Sequence, residues 1–114
     1  ADNAASGGAP DFTGTLHSEG YNLVENTSGA TIVGDSTGNI LGADPGLGPL
    51  QNNGGPTFTH ALLAASPGID AGNPAGCVDS QGNLLTTDQR GQPRPLDGDG
   101  NATAICDIGA VEAP

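Results

Sequence analysis

The sequence predicts an all-β chain of short stacked strands joined by long, turn-rich connections. Three observations predict it. Twenty glycines and nine prolines in 114 residues oppose helix, because Gly costs about 1 kcal/mol and Pro about 3 kcal/mol in a helix interior. The apolar supply is thin: no Trp, no Met, one Tyr and two Phe, which suits a narrow core of Ala, Val, Ile and Leu. Finally, short apolar clusters alternate with turn signals from Asp11 onward, and that is strand punctuation.

Residues Ala1–Pro10 are small and Gly-rich, and they read as a flexible arm. Residues 11–114 read as a single β-rich domain. Phe12–Leu16 is followed by Ser18-Glu19-Gly20, and Tyr21–Val24 by Asn26-Thr27-Ser28-Gly29. Ala30–Val33 is followed by Gly34–Gly38, and Asn39–Leu41 by Gly42–Gly46. Strands this short cannot stand alone and must stack on neighbours. Two-residue Asn-Gly hairpin loops are missing between them, so the spacing favours a coiled β-solenoid over a meander, although no strict period is visible. In the middle segment, Phe58–Leu62 reads as a strand, while Ala61–Ala65 reads equally as one helical turn ended by Ser66-Pro67. Asn73–Gly100 is turn-rich with an apolar island at Leu84-Leu85, and Ala104–Val111 reads as a closing strand.

The charge balance is 13 acids against two cations, both arginines. Nothing here neutralises phosphates, which excludes a nucleic-acid binder or an anionic-membrane binder. No stretch is apolar enough to insert in a membrane. The chain starts at Ala1 with no signal peptide, which reads as a processed product or an excised piece. Two cysteines, Cys77 and Cys106, the absence of Lys and the many Thr and Asn favour an oxidising compartment and one intrachain disulfide.

An ordered series of motifs runs along the chain. Gly20-Tyr21-Asn22-Leu23-Val24 comes first, then Asp44-Pro45-Gly46-Leu47-Gly48-Pro49-Leu50 and Asn52-Asn53-Gly54-Gly55-Pro56-Thr57. His60-Ala61-Leu62, Ser66-Pro67-Gly68-Ile69-Asp70-Ala71-Gly72, Asp88-Gln89-Arg90-Gly91 and Pro93-Arg94-Pro95 follow, and Asp107-Ile108-Gly109-Ala110-Val111-Glu112 closes it. In this order the chain resembles the C-terminal part of choice-of-anchor Q type bacterial surface proteins, over roughly residues 11 to 112. The resemblance implies a right-handed parallel β-helix with Gly- and Asn-rich rungs, belonging to a large secreted or surface-anchored protein. A compact β-sandwich is the alternative fold.

Few residues carry chemistry. Gly34-Asp35-Ser36-Thr37-Gly38, with Asp44 and His60 following, matches the nucleophile-elbow pattern. That pattern has meaning only on a large α/β sheet, which this composition cannot build. Asp97, Asp99 and Asn101 offer oxygens at alternate positions, as calcium loops do, but Ala102 and Ile108 stand where such a loop needs Gly and a carboxylate. They are a weak Ca²⁺ candidate against the reading of a solvated turn. Asn26 and Asn101 head formal N-glycosylation triplets, and His17 and His60 are isolated. Arg90 and Arg94 read as structural, with Asp70, Asp107 or Glu112 as ion-pair partners, because an Arg fork holds carboxylates and turn carbonyls. The expectation is therefore a non-enzymatic extracellular surface module with no cofactor beyond a possible Ca²⁺. Its partner is itself, assembling end to end as a filament subunit, or the rest of a larger surface protein or adhesin. A carbohydrate-binding or carbohydrate-cleaving β-helix is the alternative, without an evident aromatic platform.

Overall fold

The computed structural model describes residues 11–114, so the predicted arm lies outside the described residues. All regular structure among the described residues is strand, with no helix. Accordingly, no helix is long and apolar enough to cross a membrane. The described residues divide into two compact units, 11–45 and 46–114.

The first unit holds β1 (Gly14–Glu19), β2 (Leu23–Val24), β3 (Ala30–Asp35) and β4 (Ile40–Leu41). β1 pairs in parallel with β3, Gly14 beside Ala30 through to Glu19 beside Asp35. β2 pairs in parallel with β4, Leu23 beside Ile40. The chain thus returns to lie beside its own start after sixteen or seventeen residues. Like side chains stack as a result: Thr15 beside Thr31 and Leu16 beside Ile32. Val24 is buried in this unit.

A polar knot fixes the bend after β1. The Asn22 N–H and side-chain amide donate to Asn39 Oδ1 at 2.9 and 3.1 Å. Ser18 Oγ receives the side-chain amides of Asn22 and Asn39, each at 3.0 Å, and itself donates to the Asp35 carbonyl. Ser18 is therefore buried, and β1 runs on through Ser18-Glu19, where the sequence suggested a turn. Gly34 is required beside it. Its φ is +91°, and a Cβ there would sit 2.6 Å from the Ser18 carbonyl oxygen, closer than two such atoms approach.

In the second unit, β5 (Leu47–Gln51) pairs antiparallel with β6 (Thr59–Leu62), with a bulge between Leu47 and Leu50. Asn53 closes the connecting loop by donating to the Thr59 carbonyl at 2.9 Å. After β6 the chain turns at Ala64-Ala65, with the Ser66 N–H donating to the Leu63 carbonyl at 2.8 Å, so the apolar run is a strand and not a helical turn. Two single bridges follow, Val78 with Leu84 and Thr87 with Pro93.

The predicted closing strand Ala104–Val111 is a correction: it is irregular. Its backbone groups go elsewhere. The Asp107 N–H donates to Glu112 Oε1 at 3.0 Å, the Ile108 N–H to the Gly68 carbonyl at 2.8 Å, and the Cys106 carbonyl accepts from Gly72 at 2.8 Å. Buried backbone groups must find partners. Here side-chain carboxylates and loop carbonyls supply them in place of a neighbouring strand.

Candidate functional site

Three carboxylates are buried in the second unit. Glu112 is 1% exposed, Asp107 3% and Asp88 7%. Leaving such charges unpaired would be costly, and the two arginines meet them. Asp88 opens a tight turn in which its Oδ1 accepts the N–H groups of Arg90 at 2.7 Å and Gln92 at 3.1 Å. Its Oδ2 accepts Arg90 Nε at 2.9 Å and Nη2 at 2.7 Å, a two-pronged contact, and also the Glu112 N–H at 3.0 Å. Arg90 Nη2 also donates to the Glu112 carbonyl at 2.8 Å. Gly55 lies against Arg90, where a Cβ would fall 2.6 Å from the Arg90 Cα, and its φ of +80° suits glycine alone.

Arg94 forms the second half. Its Nη2 reaches Glu112 Oε1 at 2.6 Å and the carbonyls of Asp107 and Gly109 at 3.1 and 3.3 Å. Glu112 Oε2 accepts the Leu96 N–H at 3.1 Å. Asp107 Oδ1 accepts the Asp70 N–H at 2.8 Å, and its Oδ2 accepts the Ala113 N–H. The Cys77–Cys106 disulfide is tied in through the residue preceding Asp107.

Glu112 thus takes an arginine, as the sequence suggested, while Asp107 and Asp70 take backbone N–H groups and neither carboxylate pairs with one. The partner of Arg90 is Asp88, which is outside the acids the sequence offers for it. The signal was present in Asp88-Gln89-Arg90-Gly91, since an Asp two residues before an Arg and three before a Gly is turn chemistry.

Burial alone would raise the Asp88 pKa, but the Arg90 guanidinium and the N–H groups of Glu112, Arg90 and Gln92 together hold it below the ordinary 3.8. Burial pushes Asp107 above 3.8, with the charges of Glu112 and Asp70 adding to it and the N–H groups of Ala113 and Asp70 opposing. The signs are opposite. Asp88 contributes stability above pH 3.8 that is lost as pH falls through its folded value, whereas Asp107 favours the folded chain when protonated. Asp88→Asn is therefore expected to lower stability at neutral pH and to flatten the acid limb. Urea midpoints followed from neutral pH through the carboxylate range check this; an acid limb as steep as wild type contradicts it.

The predicted calcium loop is rearranged. One oxygen each of Asp70, Asp97 and Asp99 lie within 4.8 Å of one another. Asn101 is not the third oxygen donor, because its Oδ1 accepts the Thr103 N–H at 2.8 Å and its amide donates to Asp99 Oδ2 at 2.8 Å. Asp97 Oδ1 accepts the N–H groups of Gly100 and Asn101 at 2.7 and 3.1 Å, as a plain turn would. Asp70 Oδ1 is buried without a hydrogen-bond partner. If the loop is a calcium site, the melting temperature rises with Ca²⁺ in wild type and stays flat in Asp99→Asn. A wild-type melting temperature indifferent to Ca²⁺ assigns the loop to turn formation alone.

The remaining candidates are scattered. Ser36 lies on the turn between β3 and β4, not on a strand–turn–helix elbow. His60 Nδ1 donates to the Gly48 carbonyl at 2.8 Å, and His17 is exposed on β1. Asn26 is half-buried and its side-chain oxygen accepts the Ser28 N–H at 2.9 Å, whereas Asn101 is exposed. Comparisons with protein-family models, curated proteins and solved structures find no match.

Proposed function

We propose that this chain is a non-enzymatic structural module of an extracellular surface protein, its first unit forming coils of a parallel β-solenoid. The observation that carries this reading is the parallel register. A strand that returns beside its own start after sixteen residues, with Thr15 beside Thr31 and Leu16 beside Ile32, supports a solenoid, in which successive coils stack on their neighbours. A sandwich is built from antiparallel strands. The second unit supports a structural role because its arginines and most buried carboxylates are spent on backbone groups and on each other. Groups held this way stiffen loops; they are not presented to a substrate.

The disulfide and the strongly acidic composition favour an oxidising, aqueous setting. The resemblance to bacterial surface proteins points the same way, so the module serves a larger surface protein, an adhesin segment or a fibre. Protease treatment of intact cells that make the protein tests this. Loss of the residue 46–114 epitope, with a cytoplasmic control spared, is the expected result. Full protection of the epitope until the cells are lysed would contradict it.

A further inference from the structure

We propose that the second unit shields these residues from arginine-specific serine proteases of trypsin type, by occupying both the bond they would cut and the side chain they would grip. Such enzymes cleave after a cationic residue, whose charge enters a pocket with a carboxylate at its base. The sequence holds no Lys and two Arg, Arg90 and Arg94. Arg94 precedes Pro95, which has no N–H and whose ring crowds the leaving-group side of the bond. The Arg94–Pro95 bond is therefore closed to these enzymes by sequence alone. That leaves Arg90–Gly91.

The structure closes this bond at three points. The first is the guanidinium. Asp88 Oδ2 accepts Arg90 Nε at 2.9 Å and Nη2 at 2.7 Å, and Nη2 also donates to the Glu112 carbonyl at 2.8 Å. The side chain is 14% exposed, so Asp88 already gives it the two-pronged carboxylate contact that a protease pocket would offer. The second point is the carbonyl that would be attacked. The Arg90 oxygen lies against Gly55, where a Cβ would fall 2.8 Å from it. A protease needs that oxygen free to enter its oxyanion hole. The third is the nitrogen that would leave. The Gly91 N–H donates to the Asp88 carbonyl at 3.0 Å, and Gly91 has a φ of +79°. The bond is thus curled into a turn, away from the geometry attack requires.

Cleavage must wait for this segment to open, and its rate follows the population of the open form. Opening breaks more than the ion pair. The Gln89 N–H donates to the Ala110 carbonyl at 2.8 Å, the Arg94 N–H to the Thr86 carbonyl at 3.0 Å, and the Gln89 side chain to Thr57 Oγ1 at 2.8 Å. The turn at Asp79 is a contrast within the same unit. Ser80 and Gln81 are exposed there, and Asp79 Oδ1 accepts the N–H groups of Gln81 and Asn83, each at 2.9 Å. An arginine at position 80 would sit on a turn tied within itself, with its side chain toward solvent.

Trypsin digestion of the native chain tests the shield, read by mass spectrometry with and without reductant. Ser80→Arg is expected to be cut after residue 80. Wild type should stay whole over the same time, its Arg90–Gly91 bond on the order of a hundredfold slower or more. In urea, wild type should be cut at Arg90–Gly91 and spared at Arg94–Pro95. Asp88→Asn, held below its unfolding midpoint, should be cut at Arg90–Gly91 too. Both bonds lie between Cys77 and Cys106, so either pair of pieces parts only in reductant. If Asp88→Asn does not fold, Ser80→Arg against wild type decides. Wild type cut at Arg90–Gly91 as fast as Ser80→Arg is cut overturns the proposal. So does an uncut Ser80→Arg, which would make resistance a property of the whole fold, or a folded Asp88→Asn that stays whole. The shield goes beyond the surface reading and acts wherever the module resides, so its failure leaves that reading standing. Its success means that trypsin alone would spare the epitope on intact cells, where a protease of broad specificity is needed.

Discussion

Glu112→Gln is expected to destabilise the second unit by about 3–5 kcal/mol, the cost of removing one partner from a buried ion pair. The Glu112 side chain is 0% exposed and that of Arg94 is 9% exposed. Water therefore does little to replace the lost charge. Geometry adds to the loss. Glu112 Oε1 accepts from Arg94 and from the Asp107 N–H, while Oε2 accepts the Leu96 N–H. A glutamine keeps one acceptor and turns an NH₂ toward one of these donors, so two donors face each other. Arg94→Lys should fail in a related way, because a point-like ammonium cannot serve the Glu112 carboxylate and the carbonyls of Asp107 and Gly109 from one fixed plane. Set against a typical total stability of about 5–15 kcal/mol, either change is large. Urea unfolding curves of both variants measure it, and an unshifted midpoint for Glu112→Gln would show that the cluster is not what holds this unit.

Reduction of the Cys77–Cys106 bond is the second large effect. The bond spans 29 residues of sequence and a region with only isolated bridges as regular structure. In the chain-entropy account, closing a loop of this size stabilises by about 3–4 kcal/mol. The double variant Cys77→Ala/Cys106→Ala is expected to lose that amount, and wild type in reductant should match it. The loss should fall on the second unit, since both cysteines belong to it. A double variant as stable as the oxidised wild type would mean that the carboxylate cluster alone sets the loop path. Combining it with Glu112→Gln should give a non-additive result, because Cys106 immediately precedes Asp107, whose N–H binds Glu112.

How far the sequence could be read depended on the kind of signal. β3 and β6 were legible because each is an apolar cluster bounded by Gly or Pro, and each stops within two residues of the expected end. β1 was read as ending too early. Ser18 and Glu19 look like a turn, and only the Asn39 amide, 21 residues later, makes Ser18 a buried strand residue. β5 went unread because Gly48 and Pro49 sit inside it, and a proline in a strand is tolerated only where its missing N–H goes unneeded. The closing strand was misread for the opposite reason. Its composition is apolar, but Asp107 and Glu112 redirect its backbone into side-chain hydrogen bonds. The same blindness hid Asp88, since a buried acid is invisible to hydrophobic patterning. Arg90, by contrast, stands out in the sequence because the chain has only two cations.

A register-specific disulfide tests the parallel return of the chain beside its own start. Thr15 and Thr31 are exposed register partners on β1 and β3. Neighbouring strands lie about 4.8 Å apart, within disulfide range. Thr15→Cys/Thr31→Cys is expected to oxidise to a second intrachain disulfide, seen by mass spectrometry with no free thiol left after denaturation. Thr15→Cys/Val33→Cys, offset by two residues, should keep its two thiols. If the offset pair closes as readily, or the in-register pair stays reduced, β1 and β3 do not form the parallel pair, and the solenoid reading of this chain fails with it.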